Sequence, residues 1–189
     1  MALRNALLAA LIDRESSGYD LAKEFSVSVA NFWTATPQQL YRELEKMQAE
    51  GLLSARVVKQ ERRPDKRLFS VTAAGRAALG EFTRREPKST TVRDELLVQV
   101  EALAYADVGC VQSSIRSRIE SSSQRLAAYE RSLADILGDR TDDEFLATGS
   151  RIGPYLTLHR GISFERENIA WGRRALDILA RRYPDSAGG

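Results

Sequence analysis

The 189-residue sequence contains only one cysteine and one histidine, Cys110 and His159. A single cysteine excludes an intramolecular disulfide and a Cys-X-X-Cys metal site, and it is typical of a reducing compartment. Zinc enzymes need about three protein ligands, commonly histidine and cysteine, and nucleophilic triads need a histidine beside the nucleophile. The sequence also lacks a glycine-rich phosphate loop. We therefore predict a protein that is not an enzyme and that uses no cofactor or metal.

The sequence has no apolar run approaching the roughly 20 residues that cross a bilayer. Its apolar start, residues 1–12, is short and has no small-residue cleavage site before the charged residues 13–15, so we do not expect a signal peptide. Hydrophobic residues make up 43% and charged residues 29%, which is typical of a globular chain. We expect a cytoplasmic protein with one domain or two small ones.

Net charge is only +2, but it is unevenly distributed. Residues 1–86 carry 14 Lys/Arg and 11 Asp/Glu, whereas residues 87–189 carry 14 and 15. The segment 54–67 alone has six Lys/Arg against two acidic residues. Such a local excess of positive charge suits a polyanion such as nucleic acid, although a solvated basic loop has the same composition.

One helix has the clearest start signal in the sequence. Thr36 is a good N-cap, Pro37 falls at the first helical position, and Gln39 lies three residues after the cap, which makes a capping box. Gly51 provides a left-handed C-terminal stop. Two shorter helices precede this capped helix, over residues 3–12 and 19–25, and a further one follows it from Thr72 to about residue 84.

Residues 52–58 and 68–72 predict two strands, and the polar segment between them contains the turn pair Pro64-Asp65. This order of helices, strands and basic turn is that of a winged helix-turn-helix. In that arrangement a helix enters the major groove, and the turn, or wing, lies against the flanking DNA backbone or the minor groove. On the capped helix Leu40, Leu44 and Met47 face the core. The candidate DNA-binding residues are on the opposite face and the wing: Gln38, Gln39, Tyr41, Arg42, Lys46, Arg62, Arg63, Lys66 and Arg67.

A different function fits the same elements. A winged helix can also dock onto a protein partner without sequence-specific DNA binding, and such a surface would be apolar where this helix is polar. The polar face favours DNA, with the wing cations setting affinity and salt dependence and the helix setting sequence preference.

The polar segment 86–91 is the best candidate boundary, which divides the chain into domains 1–86 and 87–189. Beyond it the pattern predicts helices over 93–106, 111–137, 142–150 and 155–183, with Gly153-Pro154 as a break or kink. The predicted fold is mainly α with a small β-hairpin: an N-terminal winged helix-turn-helix followed by an all-α C-terminal dimerisation domain.

On the two long predicted helices, apolar residues recur every three or four positions and form a stripe along each helix. Three residues interrupt these stripes: Ser122, Glu165 and Gly172. This spacing is typical of helices that pack along the length of a partner helix. Two winged helices related by a two-fold axis can contact two half-sites, so we predict a homodimer formed across these stripes. A monomeric three-helix bundle is the alternative. The candidate interface residues are Ile115, Ile119, Leu126, Leu133, Leu158, Ile162, Ile169 and Leu176.

Five aromatic residues are candidates for an apolar pocket, between the domains or the protomers, that takes a flat small molecule: Phe32, Trp33, Tyr105, Tyr155 and Trp171. The alternative is that they belong to the core.

Cys110 would sense oxidants if it were exposed with a lowered pKa, but a small buried side chain is the more common role. His159 is predicted on a helix surface, without an identified partner for pH sensing.

Six motifs in the first 75 residues resemble the winged-helix domain of the PadR family of transcriptional regulators. They are Ser17-Gly-Tyr-Asp-Leu21, Phe32-Trp33, Pro37-Gln-Gln-Leu-Tyr-Arg-Glu-Leu44, Glu50-Gly-Leu-Leu53, Arg63-Pro-Asp-Lys-Arg67 and Val71-Thr-Ala-Ala-Gly75. The helical remainder resembles the longer C-terminal dimerisation domain of one PadR subgroup.

The resemblance implies a homodimeric bacterial repressor whose DNA binding is relieved by a small molecule or a stress signal. By matched position, Tyr41 and its neighbours Gln38, Gln39 and Arg42 fall on the recognition helix. Arg63, Lys66 and Arg67 fall on the wing. The sequence departs from the family pattern at Ser17, often histidine, at Arg63, where glycine is common before the proline, and at Phe69, frequently tyrosine. None of these changes removes a cation.

Overall fold

The computed structural model describes residues 2–25, 35–59, 65–87, 89, 93–149 and 152–184. The chain forms two compact units, Met1–Lys88 and Ser89–Gly189, each with its own hydrophobic clusters. Within the described ranges, every helix is too short or too polar to span a bilayer. Arg62 and Arg63 of the wing, and Phe32 and Trp33 of the candidate pocket, lie outside the described residues.

The first unit combines four helices with a small antiparallel sheet among its described residues. Its elements are α1 (Ala2–Leu11), β1 (Ser16–Ser17), α2 (Gly18–Glu24), α3 (Pro37–Ala49), β2 (Leu53–Val58), β3 (Lys66–Val71) and α4 (Ala73–Thr83). The order of strands is β1-β3-β2. The predicted hairpin is confirmed as β2 and β3, which pair from Leu53 opposite Val71 to Val58 opposite Lys66.

A third strand, β1, extends the sheet beyond the predicted hairpin. Ser16 lies opposite Phe69 and Ser17 opposite Leu68. Two serines have neither the length nor the alternating pattern that indicates a strand, so local sequence holds no signal for this pairing.

The end signals of α3 are confirmed. Thr36 accepts a hydrogen bond from the Gln39 backbone N–H, the Gln39 side chain accepts from the Thr36 N–H, and Pro37 begins the helix. Gly51 has φ +75°, the left-handed conformation that glycine adopts without a steric penalty. The buried face of α3 packs on α1, α2 and β2, and the core of the unit consists of Leu7, Leu8, Leu11, Leu21, Phe25, Leu40, Leu44, Met47, Leu53 and Phe69.

The second unit is helical throughout its described residues. Its elements are α5 (Glu95–Glu101), α6 (Val108–Leu137), α7 (Asp142–Thr148) and α8 (Ile152–Arg182). The predicted break at Gly153-Pro154 is wrong, since α8 already begins at Ile152 and both residues lie inside it. Pro154 lies in the first turn of α8, where a proline costs no helical hydrogen bond, so it marks the start of a helix rather than a kink inside one.

Helices α6 and α8 pack against each other along most of their length. Their apolar contacts form two clusters, one around Ile115 and Leu179 with Leu96 of α5, and one around Tyr129, Leu158 and Ile162. The three positions that depart from the apolar spacing all lie at this contact. Ser122 and Glu165 both bind Arg125, and Gly172 lies against Ile119.

Candidate nucleic-acid interface

The exposed face of α3 is polar, and the helix itself packs on β2, the first of the two strands that flank the wing (the wing strands, β2 and β3). Gln38, Tyr41, Arg42 and Lys46 are exposed, whereas the predicted core residues of the same helix are buried. The side chains of Gln38, Arg42 and Lys46 make no hydrogen bond or ion pair with the residues that the structure describes. Their amide, guanidinium and ammonium groups are therefore available to a ligand, and groups of these types contact base edges and phosphates.

The acidic residues of α3, Glu43 and Glu45, and the C-cap residue Glu50 that follows the helix are distributed unequally. Glu43 and Glu50 both pair with Arg4 of α1, at 3.1 and 2.6 Å, and Glu45 is exposed. These two contacts raise the pKa of the Arg4 guanidinium, with the hydrogen bond to Glu50 the largest cause. Two of the three carboxylates are thus neutralised at the α1 side of the helix.

Gln39 has a structural partner that the prediction of a DNA contact did not include. Its side-chain oxygen Oε1 accepts a hydrogen bond of 2.9 Å from the Thr36 backbone N–H. Only the amide NH2 group of Gln39 remains to donate to a ligand. The capping box was visible in the sequence, and it already indicated this use of the side chain.

The two described wing cations each have a partner within the chain. Lys66 Nζ lies 2.8 Å from Asp20 Oδ2, and the Arg67 guanidinium donates to the Gln48 side chain while lying 5.1 Å from the centre of the Phe69 ring. On the neighbouring strand β2, Arg56 pairs with Glu15 at 2.5 Å. Sequence spacing gave no signal for these partners, because they come from β1, α2 and α3 or their flanks.

Two carboxylates next to β2 and β3, those of Asp20 and Glu15, are stabilised in their ionised form by neighbouring cations. The hydrogen bond from Lys66 is the largest cause that lowers the pKa of Asp20, and a second hydrogen bond from Ser17 acts in the same direction. The hydrogen bond from Arg56 likewise lowers the pKa of Glu15. At neutral pH this part of the surface therefore carries alternating charges rather than free cations alone.

The three described residues of the predicted aromatic pocket, Tyr105, Tyr155 and Trp171, lie apart within the second unit. Tyr105 is 97% exposed. Tyr155 is buried, stacks on Phe145 with ring centres 5.1 Å apart and donates a hydrogen bond to Asp142. Trp171 packs in the cluster around Ile115. Because Tyr155 and Trp171 are sixteen residues apart on one helix, about 24 Å, they do not line one small pocket within the second unit.

Cys110 and His159 both differ in exposure from what the sequence predicted, a buried cysteine and a surface histidine. Cys110 is exposed rather than buried, near the start of α6, where its backbone N–H donates to Asp107. His159 is half-buried rather than on the surface, with its ring centre 4.3 Å from that of Tyr155, and its Nε2 atom is buried with no hydrogen-bond partner in the described part of the chain.

The eight residues predicted at a dimer interface pack inside one chain. Ile115, Leu158, Ile162 and Ile169 are buried, and the remaining four, Ile119, Leu126, Leu133 and Leu176, are half-buried. The apolar stripes of α6 and α8 do pack on a partner helix, as their spacing predicts. Within the chain, however, these two helices are the partners of each other. The spacing indicates a packed helix and does not specify which chain supplies the partner.

Other large apolar side chains of the second unit are exposed instead. They are Leu97 and Val98 of α5, Tyr105, Leu146 of α7, and Leu156, Phe164 and Ile178 of α8. Among the residues with described positions, no group of three or more His, Cys, Asp or Glu is arranged to hold a metal ion.

A capped helix with a free polar face beside a three-stranded sheet and a basic wing defines the winged helix-turn-helix transcriptional regulators. Two family models match the chain: PadR-like transcriptional regulators over residues 7–81, and the C-terminal domain described as "Virulence activator alpha C-term" over residues 92–180. The probable transcriptional regulator Rv1176c of Mycobacterium tuberculosis is 32% identical over 198 residues, which cover 96% of this chain and 100% of that relative. The chain belongs to the PadR-like family of transcriptional regulators.

Solved structures show the same fold. The virulence activator AphA of Vibrio cholerae has a TM-score of 0.70 at 30% identity, covering 95% of this chain and 99% of AphA. Bacillus subtilis PadR, described as a negative transcriptional regulator, has a TM-score of 0.75 at 24% identity in its complex with operator DNA, covering 92% and 97%. A second structure of that protein contains p-coumaric acid (TM-score 0.68, 23% identity, 94% of each chain).

Proposed function

We propose that this regulator binds an operator as a homodimer and represses transcription, with α3 in the major groove and the wing on the flanking backbone. The observation that carries the proposal is the face of α3. Gln38, Arg42 and Lys46 lie exposed, without partners among the described residues, on a helix whose N-terminus is fixed by a capping box. This is the geometry with which a recognition helix contacts base edges.

Each DNA-binding residue has a role that follows from its position. Gln38, Tyr41 and Arg42 lie in the first turns of α3 and contact bases, the NH2 group of Gln39 adds a donor, and Lys46 contacts phosphate. The wing residues contribute charge to the flanking backbone: Arg62, Arg63, Lys66 and Arg67. Because Lys66 pairs with the Asp20 carboxylate, it contributes less than its formal charge, whereas Arg67, whose partner Gln48 is neutral, keeps its full charge.

Repression is the sign of regulation that we propose, on the basis of the resemblance described above and of Bacillus subtilis PadR, a negative regulator that was solved on operator DNA. AphA, which is similar over nearly the whole chain, is an activator. A fusion of the upstream promoter to a reporter distinguishes the two, because deletion of a repressor raises expression and deletion of an activator lowers it.

The homodimer uses the exposed apolar residues of the second unit rather than the stripes that α6 and α8 bury in each other. Phe164 and Ile178 lie two heptads apart on α8, and both are exposed. Sedimentation of the wild type is expected to give twice the 21.1 kDa of one chain. A Phe164→Glu variant should shift toward one chain, whereas Ser163→Glu, which adds the same charge at the adjacent exposed position, should not.

A small aromatic molecule or a stress signal is proposed to release the DNA. Support comes from the Bacillus subtilis relative solved with p-coumaric acid. Thermal-shift screening with planar aromatic acids tests this, because a ligand that binds the folded protein raises its melting temperature. As a regulator of this kind works on chromosomal DNA, we infer that the protein acts in the cytoplasm, by binding rather than by catalysis.

The decisive test of DNA binding is a titration with labelled duplex from upstream of the protein's own gene, over a series of salt concentrations. We expect specific binding whose affinity falls steeply as salt rises, because phosphate contacts release counterions. Absence of binding, or equal affinity for the upstream and random duplexes at every salt concentration, would favour a winged helix that docks onto a protein.

A further inference from the structure

Residues 16–20 connect the wing to the helices of the first unit. The backbones of Ser16 and Ser17 pair with β3, and the Ser17 hydroxyl then caps α2 by accepting a 3.1 Å hydrogen bond from the Asp20 N–H. The same hydroxyl donates to Asp20 Oδ2 at 2.8 Å. The carboxylate of Asp20 is therefore held in a fixed position beside the wing strand.

Lys66, the first residue of β3, meets that carboxylate. Its Nζ atom lies 2.8 Å from Asp20 Oδ2, and the two side chains are 38% and 47% exposed. An ion pair with this exposure contributes little to the stability of the fold. Its effect on the local charge is larger, because an ionised carboxylate at this distance cancels the positive charge that Lys66 presents to solvent.

The pair also lies beside the residues that we place on DNA. Asp20 is two residues from Gly18, whose backbone is covered by the Tyr41 ring, and Lys66 continues into Arg67 of the wing. A phosphate that approaches Lys66 therefore has to compete with Asp20 for the ammonium group. The Asp20 carboxylate also repels the phosphate directly, because both groups are negatively charged. Arg42, by comparison, has no carboxylate partner among the described residues.

We propose that Asp20 is a counter-charge that limits the sequence-independent affinity of the wing for DNA. This inference rests on the proposed DNA-binding function. Removal of the charge frees Lys66 to neutralise one more phosphate, so affinity rises on every duplex, and log K becomes steeper in log salt by about 0.9. Asp20 acts through Lys66 and makes no contact with bases.

The test compares Asp20→Asn with Asp177→Asn by fluorescence anisotropy on the upstream duplex and on a random duplex, over a salt series. Asp177 pairs with Arg181 at 2.8 Å on α8, so this variant removes the same charge from the same kind of exposed pair outside the first unit. We expect Asp20→Asn to tighten binding to both duplexes by roughly two- to ten-fold at low salt and to steepen the salt dependence. Asp177→Asn should leave both unchanged.

The double variant Asp20→Asn/Lys66→Gln establishes whether the effect passes through Lys66. If it does, Asp20→Asn has little effect once Lys66 is neutral. Weaker binding by Asp20→Asn, with an unchanged melting curve, would overturn the proposal and make Asp20 a residue that positions Lys66 for contact. Equal effects of Asp20→Asn and Asp177→Asn would also overturn it. A wild type that binds neither duplex would overturn the proposed function itself.

Discussion

The aromatic ring of Tyr41 lies directly on the backbone of Gly18. A Cβ atom added to Gly18 would be 2.3 Å from Tyr41 Cε1 and 2.8 Å from Cδ1, far closer than side chains approach each other. The contact joins the first residue of α2 to the exposed face of α3, on which Tyr41 remains 44% exposed. Gly18 therefore provides the space that fixes the direction of the Tyr41 phenol.

A Gly18→Ala variant should displace that ring without unfolding the domain. Because the displaced group is an exposed side chain, we expect the free energy of unfolding to change by less than about 1 kcal/mol. Affinity for the upstream duplex should fall by roughly three- to ten-fold, the cost of one misplaced contact. The matched control is Gly80→Ala in α4, where no atom of a residue with a described position lies within 4 Å of the new Cβ. Equal DNA affinities of the two variants would show that the ring's position does not matter.

Gln39 should be needed for stability as well as for binding. Gln39→Ala removes the acceptor of the Thr36 N–H and is expected to lower the free energy of unfolding by about 1 kcal/mol. Gln38→Ala, one residue earlier and without a partner among the described residues, should leave stability unchanged. Urea unfolding followed by circular dichroism measures both. If the Gln39→Ala variant were as stable as Gln38→Ala, the result would contradict a stabilising role of the Gln39 side chain in the capping box.

Stability should depend on pH through Glu165, which is 3% exposed between α6 and α8. Burial opposes its charge, but hydrogen bonds from Arg125, Ser122 and Asn168 outweigh burial and lower the pKa of the carboxyl group. The unfolded pKa is about 4.3, so this stabilisation is complete above that value and is lost as pH falls through the lower folded value.

A Glu165→Gln variant should therefore be less stable at neutral pH, by about 1–3 kcal/mol, and should lose less stability between pH 5 and pH 3 than the wild type. Glu167→Gln, at an exposed position on the same helix, should keep the wild-type slope. Urea unfolding at a series of pH values measures the slopes. Parallel curves for the wild type and Glu165→Gln would contradict the assignment.

Gly172 should be required for the close contact of α8 with α6. A Cβ atom there would lie 2.7 Å from Ile119 Cγ1, so Gly172→Ala is expected to cost about 1–3 kcal/mol despite the better helix propensity of alanine. Gly153→Ala in the same helix meets no atom of the described residues within 4 Å and should not destabilise the protein. If thermal unfolding shows the two variants to be equally stable, the helices have room to separate at Gly172.

The sequence predicts those parts of the fold whose signals are local. Thr36, Pro37 and Gln39 lie within four residues and determine where α3 begins, and Gly51 determines where the chain leaves it. Leu40 and Leu44 identify the buried face of the helix, so the exposed face follows from the helical period alone.

What the sequence did not predict depends on residues that are far apart in the chain. Glu165 departs from the apolar spacing, and only the structure shows that Arg125, forty residues away, meets it. The partner of Lys66 is equally remote, since Asp20 comes from another element. Helical spacing likewise indicates that α6 packs on another helix but not that α8 of the same chain is that helix.

The most direct measurement compares Arg42→Ala with Arg131→Ala in their binding to the upstream duplex and to a shuffled duplex. Arg131 is an exposed cation on α6 and, like Arg42, has no ion pair among the described residues. If α3 contacts bases, Arg42→Ala should lose about 1–3 kcal/mol on the upstream duplex and clearly less on the shuffled one, while Arg131→Ala matches the wild type on both. Equal binding of the upstream duplex by the two variants would contradict the account.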